Sequence, residues 1–432
     1  MNTIQMKIVE ADSLDGIKDY LRRPANHQQN LSGIVRDIFL QVKSNGDAAV
    51  RELTLKLDKV LIEDFKVSQE QITAAEHSLD PALKSAIRQA RDNIYAFHKA
   101  QTPENISVET IPGVRCWTKW VAIDEVGIYI PGGTAPLFST VLMLAVPAMI
   151  AGTKRVALFT PPGKDGTVHP AILFAADICG VHEIYSVGGA QAIAAMALGT
   201  DQIPGVDKIF GPGNSYVTEA KMQASLQGVA IDLPAGPSEV MIIADNTADP
   251  EAVAADLLAQ LEHGSDSQAM LLTNDSKFAV EVNEQLQSLS LLLPRRDVIV
   301  KSIENSFTIV AEDELILEIA NAYAAEHLII QTKNTNYYVE NIRHAGSVFI
   351  GPWTPESAGD YASGTNHTLP TYGYARAWSG VNLFSYLKQI TYQEISRSGL
   401  EKLGPVVETM AKAELLDAHA LSVAVRLNKK LV

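Results

Sequence analysis

The chain has 432 residues, 47% of them hydrophobic and 20% charged, with a formal net charge of -15. This length argues for more than one domain around a large core, and the negative balance excludes the basic footprint of a nucleic-acid binder. The two cysteines, Cys116 and Cys179, form no paired motif, so neither a disulfide framework nor a thiolate zinc site is expected, and a reducing compartment fits.

The N-terminus carries acidic residues early and no long apolar stretch; it does not read as a signal peptide. Residues 1 to about 25, ending in Arg22-Arg23-Pro24, read as a polar arm or short helix. From Leu31 to Ala100 the pattern is helical: Ile34, Val35, Ile38, Phe39 and Val42 recur at helical spacing, and Pro81 opens a second amphipathic stretch. Near Val121 the texture changes to short apolar strands alternating with helices. Val126–Ile130 ends in Pro131-Gly132-Gly133, and Glu183–Val187 ends in Gly188-Gly189. Lys208–Phe210 ends in Gly211-Pro212-Gly213-Asn214, and Ile231–Leu233 ends in Pro234-Ala235-Gly236. Strand, glycine turn and helix in repeated order predict a mostly parallel sheet with helices on both faces. Ligands bind such sheets at the carboxyl ends of the strands, where these turns sit. The longest apolar run, Val141 to Gly152, is too short to span a bilayer, so a soluble cytoplasmic protein is expected, with neither membrane nor nucleic acid as partner.

A second α/β block runs from about Glu239 to Gly380. Its expected strands are Val240–Ala244, Ala269–Thr273, His327–Ile330 and Ser347–Ile350, with a helix over Pro250–Leu261. From Leu383 onward the tail reads as helical, broken at Gly399 and at Gly404-Pro405.

Four polar spots carry candidate chemistry. They are Gln260-Leu-Glu-His263, Glu326-His327, Asp360 to His367, and Glu414 to His419. Together they offer imidazole, carboxylate and amide oxygen, the ligand set of a borderline divalent metal such as zinc, with a His and a Glu to spare for proton transfer. Gln260 and His263 lie three apart on an expected helix and can share a face; a His at a helix C-terminus with Gly264 as cap is the plainer reading. Glu326 and His327 adjoin in an extended chain, where neighbours face opposite ways. Asp360 and His367 flank a loop too polar for a core. Taken alone, His419 would be solvated surface. The glycine turns suit phosphates, although none matches the dinucleotide or P-loop fingerprint, and each alone is an ordinary tight turn.

Long segments carry a resemblance beyond these motifs. They are Ile128 to Thr140, Val187 to Ala192, Ile209 to Asn214, Asp232 to Glu239, Gln260 to Gly264, Glu326 to Ile330 and Ser357 to His367. Together they resemble the L-histidinol dehydrogenase family over nearly the whole chain. The resemblance implies an enzyme that oxidises L-histidinol to L-histidine through the aldehyde, with two NAD, at the end of histidine biosynthesis. It implies a homodimer with shared active sites and one zinc per subunit, held by Gln260, His263, Asp360 and His419. Glu326 and His327 match the acid/base pair. Ser238, Gln260, His263, His327, Asp360, His367, Glu414 and His419 match substrate positions, and Tyr129, Gln191 and Asn214 match the NAD contacts. Leu261, Ser265 and Ala325 depart from the commoner family pattern, but none removes a ligand or a proton carrier.

The fold implied is two doubly wound, aldehyde-dehydrogenase-like domains with parallel sheets. Residues 126–237 would form the NAD-binding domain, and residues 26–125 with 238–381 the substrate and metal domain. Residues 1–25 would form a helical arm and 382–432 a helical dimerisation tail. Other readings are a related NAD- and zinc-dependent dehydrogenase of another small polar alcohol, a zinc hydrolase and a non-enzymatic metal-binding protein. A hydrolase would not need the glycine turns with Tyr129, Gln191 and Asn214.

Overall fold

Runs such as Val240-Met-Ile-Ile-Ala244 are apolar at every position because both faces of the strand are covered. Val240, Ile242, Ala269 and Leu271 pack on one side against Leu257, Leu258 and Phe278. Met241, Ile243, Met270 and Leu272 pack on the other against Ile316, Ile319 and Ala320. This is seen in a computed structural model that describes residues 4–23, 31–132, 135–233 and 236–428. Pro24, His27, Gly133, Thr134, Pro234 and Ala235 lie outside the described residues.

In chain order the strands are β1 (Lys7–Glu10), β2 (Ser107–Ile111), β3 (Val114–Ala122), β4 (Glu125–Tyr129), β5 (Arg155–Phe159), β6 (Glu183–Tyr185) and β7 (Lys208–Phe210). Then follow β8 (Ala230–Ile231), β9 (Glu239–Ala244), β10 (Gln268–Thr273), β11 (Phe307–Val310), β12 (His327–Gln331), β13 (Ser347–Ile350) and β14 (Leu387–Ile395). The chain forms two units, one of Met1–Ala100 with Ile123–Ser385, the other of Gln101–Ala122 with Tyr386–Val432.

The first unit holds two parallel sheets. One has the order β6-β5-β4-β7-β8 and the other β1-β11-β10-β9-β12-β13. In each, chain order reverses at a central strand, β4 in one and β9 in the other. The expected fold class, α/β with doubly wound parallel sheets, is therefore met. In the five-stranded sheet the reversal opens a crevice at the carboxyl ends of β4 and β7, the place where such sheets take ligands. Tyr129 ends β4 there. Gly211 follows β7 at φ +123°, and a Cβ on it would lie 2.1 Å from the Tyr129 carbonyl oxygen; only glycine serves.

A buried ion pair ties this turn down. Lys221 Nζ lies 2.5 Å from Asp232 Oδ1 and donates to the carbonyls of Gly211 and Leu233 at 2.9 and 3.2 Å. Asp232 accepts from the amides of Gly211 and Leu233 at 2.8 and 2.7 Å. Lys221→Met would leave the Asp232 charge buried without its cation, which costs about 3–5 kcal/mol. Its urea midpoint should fall well below the wild-type value; an unchanged midpoint would show that the pair is not holding the turn.

The structure differs from the sequence expectation at both ends of the chain. Within the N-terminal arm, β1 pairs in parallel with β11 as the edge of the six-stranded sheet. The segment Leu387–Ile395, expected to be helical, is β14, which pairs antiparallel with β3 over nine positions; β2 lies on the other side of β3. After it the helix Arg397–Ala413 runs straight through Gly399, Gly404 and Pro405. The two glycines serve close approach rather than breakage. A Cβ on Gly399 would meet the Gly113 carbonyl oxygen at 2.3 Å, and one on Gly404 would meet Val423 at 2.8 Å. Among the described residues, no helix is long and apolar enough to cross a membrane.

Candidate active site

Helix Pro250–Leu261 starts on the Asp249 side chain, which accepts from the Glu251 amide. It delivers Gln260 in its last turn and His263 just beyond. Gln260 is fully buried, and neither its amide oxygen nor its amide nitrogen has a hydrogen-bond partner. After β13 the chain forms the short helix Glu356–Tyr361, just ahead of the polar loop expected between Asp360 and His367. Glu356 and Asp360 lie four apart on it and face the same way. Gly359 lets that helix settle on Phe349, since a Cβ there would lie 2.5 Å from the ring.

Glu326 and His327 follow helix Asp313–Tyr323, which is closed by Ala324 in the left-handed region at φ 56°. β12 begins only at His327, so strand alternation does not govern the pair. The two side chains do not face opposite ways: His327 Nδ1 lies 3.8 Å from Glu326 Oε2. Nδ1 is also 3.4 Å from Glu356 Oε1, and Nε2 is 3.6 Å from Asp360 Oδ1. His263 Nε2 stands 3.8 Å from the other Asp360 oxygen. His367 is held at both nitrogens, Nδ1 donating to the Asp360 carbonyl at 2.8 Å and Nε2 accepting from the Thr140 hydroxyl at 3.0 Å.

Glu326 is anchored from behind. Its Oε2 accepts from the Glu239 amide at 2.8 Å. Glu239 in turn forms a two-point pair with Arg23, at 2.5 and 2.8 Å, and accepts from the Tyr372 amide at 2.7 Å. The guanidinium also lies 4.0 Å over the Tyr323 ring. A carboxylate fixed by a bidentate arginine is a rigid support, so Glu326 has little freedom to turn away.

The inner groups of the site are buried and crowded with acids. Burial, then the charges of Glu239 and Asp360, raises the Glu326 carboxyl well above the usual range. Burial, then Asp360, Glu326 and Asp256, does the same to Glu356. Burial lowers the His327 imidazole to about 4, against the pull of Asp360; it stands neutral near pH 7, with a lone pair to offer.

These groups open into one cavity of about 520 Å³, lined by Ser238, His263, Glu326, His327, Asp360, His367 and Asn214 among others. A second cavity, of about 790 Å³, shares Pro131 and Asn214 with the first and is lined by Tyr129 and Gln191. There the Tyr129 hydroxyl accepts from the Gly189 amide at 3.0 Å, and burial raises that phenol to about 12. Asn214 caps helix Ser215–Leu226, its Oδ1 accepting from the amides of Tyr216 and Val217, both at 3.1 Å. Glu414 and His419 belong to the other unit. Glu414 closes helix Arg397–Ala413 and His419 lies on helix Asp417–Arg426, both exposed.

Sequence reasoning missed Glu356, whose carboxylate oxygens lack any hydrogen-bond partner. Its four-residue spacing from Asp360 was the available signal. Glu356 Oε1 is the carboxyl oxygen nearest to His327 Nδ1, at 3.4 Å, while Nε2 faces Asp360. Glu356→Gln should cut turnover about 10- to 100-fold, the usual cost of losing a supporting carboxylate. Steady-state rates measure it, and an unchanged rate would remove Glu356 from the site.

His263, Glu356 and Asp360 each offer a ligand atom within 4.8 Å of the others. With the unpartnered Gln260 amide beside His263 in the chain, the donor set fits a divalent metal. The six-stranded sheet gathers this chemistry at the amino ends of β9 and β12 rather than at their carboxyl ends.

The family model for histidinol dehydrogenase matches residues 21–427. The histidinol dehydrogenase of Bacteroides thetaiotaomicron is 54% identical over 424 residues, covering 98% of this chain and 99% of its own. That of Campylobacter jejuni is 50% identical over 428 residues, covering 98% and 99%. The crystal structure of histidinol dehydrogenase from Elizabethkingia anophelis superposes with a TM-score of 0.96 at 47% identity, covering 99% of each chain. Matches of this length and identity, over a chain that assembles such a site, show that the protein belongs to the histidinol dehydrogenase family.

Proposed function

We propose that this chain oxidises L-histidinol to L-histidine through the aldehyde, reducing two NAD, as the last step of histidine biosynthesis. The observation that carries this reading is a pair of neighbouring cavities with Pro131 and Asn214 in both walls. One is lined by the buried His327 with Glu326 and Asp360, beside candidate metal donors; the other lies by the glycine turns of a doubly wound sheet. The name shared by close relatives over the full chain supports the substrate.

Gln260, His263 and Asp360 would hold zinc, with His419 as the fourth protein ligand, and Glu356 stands close enough to join or support them. When bound, zinc supplies a Lewis acid that orients the imidazole and amine of the substrate. NAD, when bound, supplies the hydride acceptor; Tyr129, Gln191 and Asn214 would contact it. Residues 126–237 would form the NAD-binding domain, and residues 26–125 with 238–381 the substrate domain. Residues 1–25 and 382–432 would be the arm and the dimerisation tail. Ser238, His367 and Glu414 would position histidinol.

His327 is neutral, and its free ring nitrogen suits it to accept the alcohol proton. Glu326 would draw a proton from the water that adds to the aldehyde. A carboxyl raised by burial is a stronger base once ionised, and the Glu239 amide holds it in place. Two hydrides leave the carbon between alcohol and carboxylate, so two acceptors are consumed per histidine.

The fourth metal ligand would come from a second copy of the chain, in a cytoplasmic homodimer. Helices Arg397–Ala413 and Asp417–Arg426 support this. Met410, Leu415 and Val425 on this tail are each more than half exposed, apolar side chains of the kind that a partner covers.

The test is incubation of the zinc-loaded protein with L-histidinol and NAD, following nicotinamide absorbance and histidine together. Two NADH per histidine are expected. One NADH with accumulating aldehyde would overturn the two-step reading, and no reduction with histidinol would overturn the substrate.

A further inference from the structure

We infer that Asp58 is the residue that selects NAD over NADP, by accepting hydrogen bonds from the adenosine ribose hydroxyls, of which NADP carries the 2′ one as a phosphate ester. The inference rests on the proposal that the 790 Å³ cavity takes the nucleotide. Asp58 is the last residue of helix Asp47–Asp58, which stops at Lys59 in the left-handed region at φ 63°. The helix belongs to the N-terminal helical block, about seventy residues before the first strand of the sheet it faces. Asp58 nevertheless lines this cavity together with Tyr129, Gly189 and Gln191.

Three observations point to a diol rather than a phosphate. Asp58 Oδ2 has one weak contact, from Gln191 Nε2 at 3.4 Å; among the described residues no cation forms an ion pair with it. The described residues lining the cavity include no Lys or Arg. The one imidazole there, His169, accepts at Nδ1 from the Ala171 amide and so caps its own helix. Vicinal hydroxyls can donate two hydrogen bonds to a carboxylate. A phosphate in the same place would meet a like charge with no counter-ion. Dinucleotide sites divide on this chemistry: an acidic residue reads the free 2′-hydroxyl, and an arginine accommodates the 2′-phosphate. Partial burial raises the Asp58 carboxyl, with no other cause at work, as expected of an acceptor that the protein leaves to a ligand. The usual fingerprint places its acidic residue about twenty residues beyond the glycines of the same βαβ unit. Here it would come from a helix that precedes the sheet, so no sequence fingerprint reveals it.

The experiment compares wild-type protein with Asp58→Asn and Asp58→Ala, using NAD, NADP and 2′-deoxy-NAD as alternative acceptors with histidinol. Binding of NADH and NADPH is followed in parallel by fluorescence, which needs no turnover. The wild type should prefer NAD to 2′-deoxy-NAD. Asp58→Ala should lose about 10- to 100-fold in kcat/KM for NAD, the cost of a charge-assisted hydrogen bond, mostly through KM. The preference over 2′-deoxy-NAD should collapse toward one, and the NADPH-to-NADH affinity ratio should rise. Asp58→Asn keeps the shape of the side chain and should relax discrimination against NADP as well, so a folding defect in the Ala variant cannot mimic the result. Wild-type NADH binding with selectivity unchanged in both variants would overturn the role of Asp58 alone. Absence of NADH binding in the wild type would overturn the nucleotide reading and this inference with it.

Discussion

Glu326→Gln should slow oxidation of the aldehyde by about two to four orders of magnitude, the usual loss when a positioned proton carrier is removed, and should affect alcohol oxidation less. The substitution is nearly isosteric. Its side-chain oxygen can still accept from the Glu239 amide, which holds Glu326 at 2.8 Å, so the packing around Arg23 and Glu239 stays intact and the loss reports on the proton. Each half-reaction is assayed separately, from histidinol and from histidinal. Because the two side chains approach to 3.8 Å, some loss in the first half is expected through His327. Equal losses in both halves would show that one residue does not serve water addition while the other serves the alcohol.

The central chemistry was legible because it rests on residue types with few other uses in such company. His263, Glu326, His327, Asp360 and His367, read as polar spots up to a hundred residues apart, do line one cavity. The glycine turns were legible for a related reason, since Gly211 sits where a Cβ would strike the Tyr129 carbonyl. What escaped was set by tertiary partners rather than by local pattern. Leu387–Ile395 has no buried residue and no alternation of burial; it is a strand because β3 offers nine partners in register. Gly399 and Gly404 read as breaks, yet they serve close packing within a continuous helix. The Glu326-His327 pair was read with strand alternation, but the strand starts one residue later. Glu356 precedes the polar loop between Asp360 and His367, and it shares a helix face with Asp360 only because Gly359 packs that turn against Phe349. Asp58 and Arg23 meet Gln191 and Glu239 more than a hundred residues away in sequence, at distances that only the folded chain defines.

Mixing His419→Ala with His263→Ala, each inactive alone, should restore up to about half the wild-type activity per mixed dimer. The expectation follows from the family resemblance, which gives His419 to the metal. The first unit itself brings together His263, Glu356 and Asp360, with Gln260 in the neighbouring helical turn, and zinc sites prefer four ligands, so the mixed dimer tests whether His419 is one of them. His419 stands exposed on a helical tail with exposed apolar side chains, and such a tail suits exchange between the two copies of a symmetric dimer. If each metal site takes His419 from the partner, one site of the mixed dimer carries both lesions and the other carries none. If each chain supplies its own His419, every site keeps one lesion and no activity returns. The variants are dissociated in mild denaturant with chelator, mixed, and refolded with zinc. Affinity tags of two kinds isolate the mixed dimer. Bound zinc is then counted alongside activity: shared sites predict one tightly held ion per mixed dimer, and separate sites predict none at wild-type affinity. A mixed dimer that forms yet shows neither activity nor a tight zinc would rule out the shared site.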